Sequence, residues 1–270
     1  MAKKTPIVGR SSRTPFKHWV LDSHLGQIVG SLSTRSANIP ARPTPFLCVD
    51  LCAGDGVETD DHEASPVIIA DHCDWLASRG FSVKSVLIEK QSATFETLEQ
   101  NMAKREMVHD CELRNADARD FVFTPSCVNQ AVFINCDPNA ISDLPFAESL
   151  AASLTKTTTM TLTLGCNVGG LKMLKADKRA AWFDYMDVIV SIMPTWHDAI
   201  LIAIESDAAQ WAYLTRVPVK WSQNVIRDVE RKGAKHFPKG VRIESYRRSK
   251  RGFDDLVKRL FLTKAEVSNG

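Results

Sequence analysis

Four carboxylates, Asp50, Glu89, Asp117 and Asp137, each follow or close a short run suited to a strand, and the first leads into a glycine turn. Phe46–Val49 is apolar and long enough for a buried strand, and in the Asp50–Gly56 segment (DLCAGDG) the small residues Ala53, Gly54 and Gly56 let the backbone turn tightly against a ligand. This is a nucleotide-site pattern, although neither the GxGxxG phosphate loop nor the P-loop with its Gly-Lys-Ser/Thr is matched. A carboxylate only accepts hydrogen bonds, so Glu89 suits the hydroxyls of a ribose. Asp117 could accept from an adenine amino group while Ala118 leaves room for the ring. Each acid alone also reads as a helix N-cap or an exposed turn residue, and the glycine turn as a tight turn without a ligand. Three acids at successive strand ends make the site reading the stronger one.

Those strand ends belong to an alternating pattern of elements. Leu21, Leu25, Ile28, Val29 and Leu32 share one helical face, which predicts an amphipathic helix over about residues 16–33. Pro40, Pro43 and Pro45 then enforce an extended entry to the strand Phe46–Leu51. A helix over Ser65–Ser78, a strand Val83–Glu89, a helix over 92–107 with Phe95, Leu98 and Met102 on one face, a short strand Cys111–Asn115 and a strand Ala131–Cys136 follow. The rhythm continues with a helix near Pro145–Leu154, a threonine-rich strand Thr157–Leu164 and a helical face of Trp182, Met186, Ile189, Val190 and Met193. Ala199–Glu205 and Tyr213–Val219 read as a hairpin. Parallel units closed by an antiparallel hairpin predict a Rossmann-like α/β fold: a seven-stranded, mostly parallel sheet with helices on both faces.

At 270 residues with 44% hydrophobic content, one α/β domain with end extensions is expected. We place a basic arm at 1–15, the domain at 16–219 and a basic C-terminal extension packed on it at 220–270. The start MAKKTPIVGR leads into polar sequence, and no apolar run approaches a membrane span, so a cytoplasmic protein is expected. Seven cysteines without a CxxC pair indicate reduced, buried thiols instead of a disulfide framework or a zinc site. The net charge of +2 is segregated. Residues 46–148 hold 19 acidic against 7 basic residues, residues 1–20 hold five basic and no acidic ones, and residues 220–259 hold 13 basic against 5 acidic. Basic segments at both ends can neutralise phosphates, with Arg247, Arg248, Lys250 and Arg251 the densest cluster. A solvated basic surface or a patch for an acidic protein partner is the plainer alternative. Phe253, Leu256, Val257, Leu260 and Phe261 predict a helix carrying part of the patch.

From Gly56 to Glu89 is 33 residues, more than the roughly 20 usual between glycine loop and ribose acid. The excess is an acidic insert, Val57–Ala64, ahead of Ser65-Pro66, where serine can cap the helix and proline fits its first turn. Asp60, Asp61, His62 and Glu63 are consecutive on a loop and lack preorganised metal geometry, so no metal site is expected.

The Asp50–Gly56 segment resembles the first motif of class I S-adenosylmethionine (AdoMet) methyltransferases. With Ala64-Ser65-Pro66, Ile88-Glu89 and Phe133–Pro138 it resembles, over about residues 16–150, the three-Cys-motif partner proteins of bacteria, a methyltransferase-like group. That pattern has glycine where this chain has Ala64, and an aromatic-glycine pair where it has Asn139-Ala140. The resemblance implies AdoMet as cofactor, with Asp50 and the Ala53–Gly56 loop under its methionine part, Glu89 on the ribose and Asp117 and Ala118 at the adenine. It places Asp137, Pro138 and Asn139 at the methyl acceptor. Base-amine methyltransferases carry an aromatic here to stack on a flipped base. This chain offers only the distant Phe146, and Cys136 reads as an inert core thiol. The expected activity is methyl transfer to nucleic acid. The alternatives are a non-catalytic nucleic-acid-binding or partner protein of this fold, and a small-molecule or protein methyltransferase.

Overall fold

Phe46–Asp50 (β1) and Ala131–Cys136 (β4) are buried along their whole lengths, as strands covered on both faces must be. The computed structural model describes residues 14–38, 45–57, 63–121, 130–137, 159–167, 197–205, 209–218, 223–228, 230–231 and 242–247. The remaining elements in chain order are helix α1 (Thr14–Asn38), helix α2 (Ser65–Ala77), β2 (Val83–Glu89), helix α3 (Ser92–Met102), β3 (Asp110–Asn115), β5 (Thr159–Asn167), β6 (His197–Glu205), β7 (Ala209–Pro218) and β8 (Arg242–Arg247). The expected helices near 145–154 and 182–193, and the one over Phe253–Phe261, lie outside the described residues.

The sheet runs β3-β2-β1-β4-β5-β7-β6-β8. β3, β2, β1, β4 and β5 are parallel neighbours, whereas β7 is antiparallel to both β5 and β6. This is the expected parallel set closed by a hairpin, with eight strands among the described residues where seven were expected. Arg242–Arg247, inside the segment read as a basic extension, pairs antiparallel to β6. Earlier in the same segment, residues 223–228 are helical, with Val225 and Ile226 buried and Asp228 Oδ2 accepting from Ser23 Oγ of α1 at 2.9 Å.

Alternation across the strands divides the core. Phe46, Cys48, Val83, Leu87, Ala131 and Phe133 join one cluster with Leu25 and Ile28 of α1 and Ile69, Cys73 and Leu76 of α2. Val49, Ile88, Val132 and Ile134, offset by one position, are buried on the opposite face. α1 runs beyond the expected end because nothing breaks it before Pro40. α3 instead stops at Met102, since the chain beyond turns to let Val108 N and His109 N donate to Asp74 Oδ1 of α2, at 2.7 and 3.0 Å. The N-cap of α2 is Ala64 and not Ser65, with Pro66 in the first turn. At the sheet edge, β3 is half exposed, and Lys84, Glu112 and Arg114 pair over it, charges that discourage further strand addition. No helix among the described residues is long and apolar enough to cross a membrane.

Candidate functional site

Parallel pairing brings Asp50 beside Leu87 on β2 and beside Asn135 on β4, so the C-terminal ends of three strands open onto one place. Asp50 is fully buried. Its Oδ1 accepts from Asn135 Nδ2 at 3.0 Å and from Cys52 N at 3.2 Å, while Oδ2 is buried with no hydrogen-bond partner. Burial, reinforced by the nearby Asp137 charge, pushes the carboxyl up to about 6. Ser65, Cys52 and Asn135 work against the rise. Ser65 acts from close by without completing a hydrogen bond to Oδ2.

The turn after Asp50 is tied to both neighbouring strands. Leu51 N donates to Asn135 O at 3.0 Å and Ala53 N to Ile88 O at 2.9 Å. Gly54 and Gly56 have φ of 69° and 64°, the left-handed region that glycine occupies without a Cβ clash. They differ in surroundings: a Cβ on Gly54 would meet nothing within 4 Å, whereas one on Gly56 would lie 3.0 Å from Leu98 Cδ1 of α3. Gly56 therefore serves close packing, and Gly54 borders open space. Asn101 Nδ2 of α3 holds the turn further, donating to Asp55 O at 3.0 Å.

Glu89 closes on this turn. Its Oε2 accepts from Gly54 N at 3.0 Å and its Oε1 from Gln91 N at 2.8 Å, which leaves further lone pairs on both oxygens. Asn115 Nδ2, at the end of β3, donates to Glu89 O at 2.9 Å. Asp117 follows and caps the 3-10 turn Ala118–Asp120, with Oδ1 accepting from Arg119 N and Nε, both at 3.0 Å. Oδ2 pairs with Arg119 Nη2 at 2.5 Å and Lys90 Nζ at 3.1 Å. The Arg119 side chain, foremost among these donors, holds the Asp117 carboxyl well below the ordinary carboxylate range. Asp117 thus occupies the expected strand end and fulfils the capping alternative too, and Ala118 beside it is buried.

Asp137 lies half-buried directly after β4, close enough to Asp50 and Cys52 to raise both. Asp50, Ala53, Gly54, Glu89 and Asp137 are therefore gathered at the ends of β1, β2 and β4, with Asp117 at the end of β3. Pro138, Asn139, Phe146, Arg248, Lys250 and Arg251 lie outside the described residues, as do Asp60, Asp61 and His62. Arg247 ends β8, opposite Ile200. The residues missed from sequence are Asn135, Cys52, Lys90 and Arg119. Asn135 was discoverable as the one polar side chain inside the apolar run Ala131–Cys136.

No family model and no curated protein matches the sequence. Among solved structures, a Legionella pneumophila protein described by the DUF519 family model is similar, with a TM-score of 0.54 at 10% identity over 85% of this chain and 96% of that one. A Pyrococcus horikoshii protein assigned as an RNA methyltransferase has a TM-score of 0.42 at 11% identity over 80% and 91% of the two chains. The methyltransferase domain of METTL16 has 0.41 at 11% identity over 77% and 69%. At such identities the likeness to the Legionella protein is one of fold alone, and the strand order β3-β2-β1-β4-β5 makes the chain's α/β fold Rossmann-like.

Proposed function

We propose that the protein is an AdoMet-dependent methyltransferase acting on nucleic acid. The observation that carries the cofactor part is the buried, unpartnered Asp50 Oδ2 beside the Gly54–Glu89 contact, at the ends of adjacent parallel strands. A buried carboxylate oxygen without a donor fits an incoming ammonium group, the open space at Gly54 fits a close approach to the backbone, and the spare lone pairs of Glu89 fit ribose hydroxyls. AdoMet, when bound, supplies an electrophilic methyl group. Asp50 would hold its ammonium, Glu89 its ribose, and Asp117 with Ala118 the adenine edge. Asp137 would orient the acceptor amine and take its proton, next to Pro138 and Asn139 in sequence. The resemblance of the Asp50–Gly56, Glu89 and Asp137-Pro138 motifs to those of three-Cys-motif partner proteins is in keeping with this reading.

Nucleic acid as substrate is supported by the basic ends, +5 over residues 1–20 and +8 over 220–259. A non-catalytic binding module is the second reading, favoured by Asn139-Ala140 standing where base-amine enzymes carry an aromatic. The test is transfer of labelled methyl from AdoMet to cellular DNA, RNA and protein fractions by wild type and Asp137→Ala. Incorporation into a nucleic-acid fraction that the variant loses, with AdoMet affinity kept within about tenfold, is the expected result. No incorporation by wild type into any fraction selects the binding module.

A further inference from the structure

The Asp117 carboxylate, assigned above to the amino group of adenine, already has a donor at each of its acceptor positions. Oδ1 accepts from Arg119 N and Nε, both at 3.0 Å, and Oδ2 from Arg119 Nη2 at 2.5 Å and from Lys90 Nζ at 3.1 Å. A carboxylate offers about four lone-pair positions, so these donors fill it. A further hydrogen bond needs one of them to leave.

The donors are not equal. Arg119, two residues on, contributes its backbone amide, Nε and Nη2 as one local fork across both oxygens. Lys90 instead reaches over from the end of β2 and makes the longest of these contacts. Its side chain is exposed, a compact ammonium on a flexible four-carbon stem. Its backbone is fixed, because Asn115 Nδ2 donates to Lys90 O at 3.2 Å and to Glu89 O at 2.9 Å, while Asn115 Oδ1 accepts from Ser92 Oγ at 3.0 Å. The ammonium can therefore swing off Asp117 into solvent without moving Glu89 or the end of β3. In place, it bridges the ends of β2 and β3, the gap that a nucleoside held by Glu89 and Asp117 has to cross.

We propose that Lys90 is a specificity-determining latch on the base pocket: its ammonium holds the Asp117 Oδ2 position that the adenine amino group takes, and a 6-amino purine binds by displacing it. The proposal rests on the AdoMet reading above. A purine with a carbonyl at position 6 cannot make the exchange, since its oxygen would face a carboxylate oxygen, and it meets a donor only while the ammonium stays. Lys90 thus lowers affinity for the amino purine and narrows the difference between the two bases.

Calorimetry with S-adenosylhomocysteine, whose neutral sulfur keeps the sulfonium charge out of the comparison, and with S-inosylhomocysteine, its 6-oxo counterpart, tests this on wild type and Lys90→Met. Methionine keeps most of the stem and loses the ammonium. The variant should bind S-adenosylhomocysteine about threefold tighter than wild type, the scale of an exposed ion pair, and S-inosylhomocysteine no tighter. S-adenosylhomocysteine binding that is unchanged or weakened by Lys90→Met overturns the latch and leaves the AdoMet reading standing. Equal tightening toward both ligands is an effect of charge that does not involve the amino group, and it overturns the latch as well. Binding of S-adenosylhomocysteine by neither protein sinks the AdoMet reading, and the latch with it.

Discussion

The backbone amide of Gly54 donates to Glu89 Oε2 at 3.0 Å across 35 positions of sequence. That bond joins the glycine turn of β1 to the acid at the end of β2, so the two halves of the proposed nucleoside site hold each other in place before any ligand arrives. Such preorganisation removes ordering that binding would otherwise have to supply. Glu89→Ala takes away both the ribose acceptor and the anchor of the turn, and AdoMet binding should weaken by about 1–3 kcal/mol. Titration calorimetry reads this directly, and wild-type protein that shows no heat of binding at millimolar AdoMet would sink the cofactor assignment.

Asp50 predicts a dependence on pH. Its carboxyl is raised in the folded protein to about 6 from an ordinary 3.8, so between those values the native state holds a proton that the unfolded chain has lost. Stability therefore falls as pH rises from near 4 to near 6 and levels off above, by a loss on the order of 2–3 kcal/mol. Asp50→Asn should flatten this part of the curve in urea unfolding. AdoMet affinity should move the opposite way, strengthening as pH rises through about 6, because the ammonium meets an ionised carboxylate. An affinity that is level across that range in wild type would take Asp50 out of the cofactor contacts.

The elements that set this geometry were legible where composition is uniform. Val83–Glu89 and Ala131–Cys136 match their expected bounds to the residue, because each is a β-prone run flanked by polar sequence. β8 was not legible: Arg242–Arg247 (RIESYR) holds only Ile243 and Tyr246 among charged and polar residues, too short a pattern to mark a strand, and its basic content reads equally well as solvated surface. In the site, Asp50, Gly54 and Glu89 stood out by residue type and by their place at the ends of expected strands. Asn135 stood out only as a polar side chain inside an apolar run, and its partner Asp50 follows from the parallel register of β4 against β1, which no local pattern encodes.

The two glycines of the turn should respond differently to alanine. Both hold left-handed φ, so either substitution strains the backbone by about 1 kcal/mol. Gly56→Ala also sets its Cβ 3.0 Å from Leu98 Cδ1, and that fully buried side chain has to give way against α3. Gly56→Ala should lower the thermal midpoint more than Gly54→Ala, while Gly54→Ala, placing a methyl group in open space beside Glu89, should cost more in AdoMet affinity relative to its stability. Thermal unfolding of both variants, with and without AdoMet, separates the two roles, and a reversed order of midpoints would refute the packing account.

Asp74, His109 and Ser85 form a chain away from the strand ends. His109 Nδ1 lies 2.6 Å from Asp74 Oδ1, and His109 Nε2 lies 2.8 Å from Ser85 Oγ, the arrangement of a hydrolytic triad. Ser85 is fully buried, however, and is level with Cys48 in the register, two residues before Asp50, so no substrate reaches its hydroxyl. The work of the chain is to fix the segment between α3 and β3: Asp74 Oδ1 also accepts the amides of Val108 and His109. Burial alone would raise the Asp74 carboxyl, and the His109 side chain and these amides reverse that, leaving it below its ordinary value. His109→Ala strands the Ser85 hydroxyl in the core and opens a cavity, which should destabilise the protein by about 2–4 kcal/mol. Ser85→Ala removes a single neutral hydrogen bond and should cost about 1 kcal/mol. Urea unfolding gives both values, and AdoMet affinity measured well below the unfolding transition should match wild type for each variant. Loss of AdoMet binding by Ser85→Ala in a protein of unchanged stability would show that the chain serves the site and not only the scaffold.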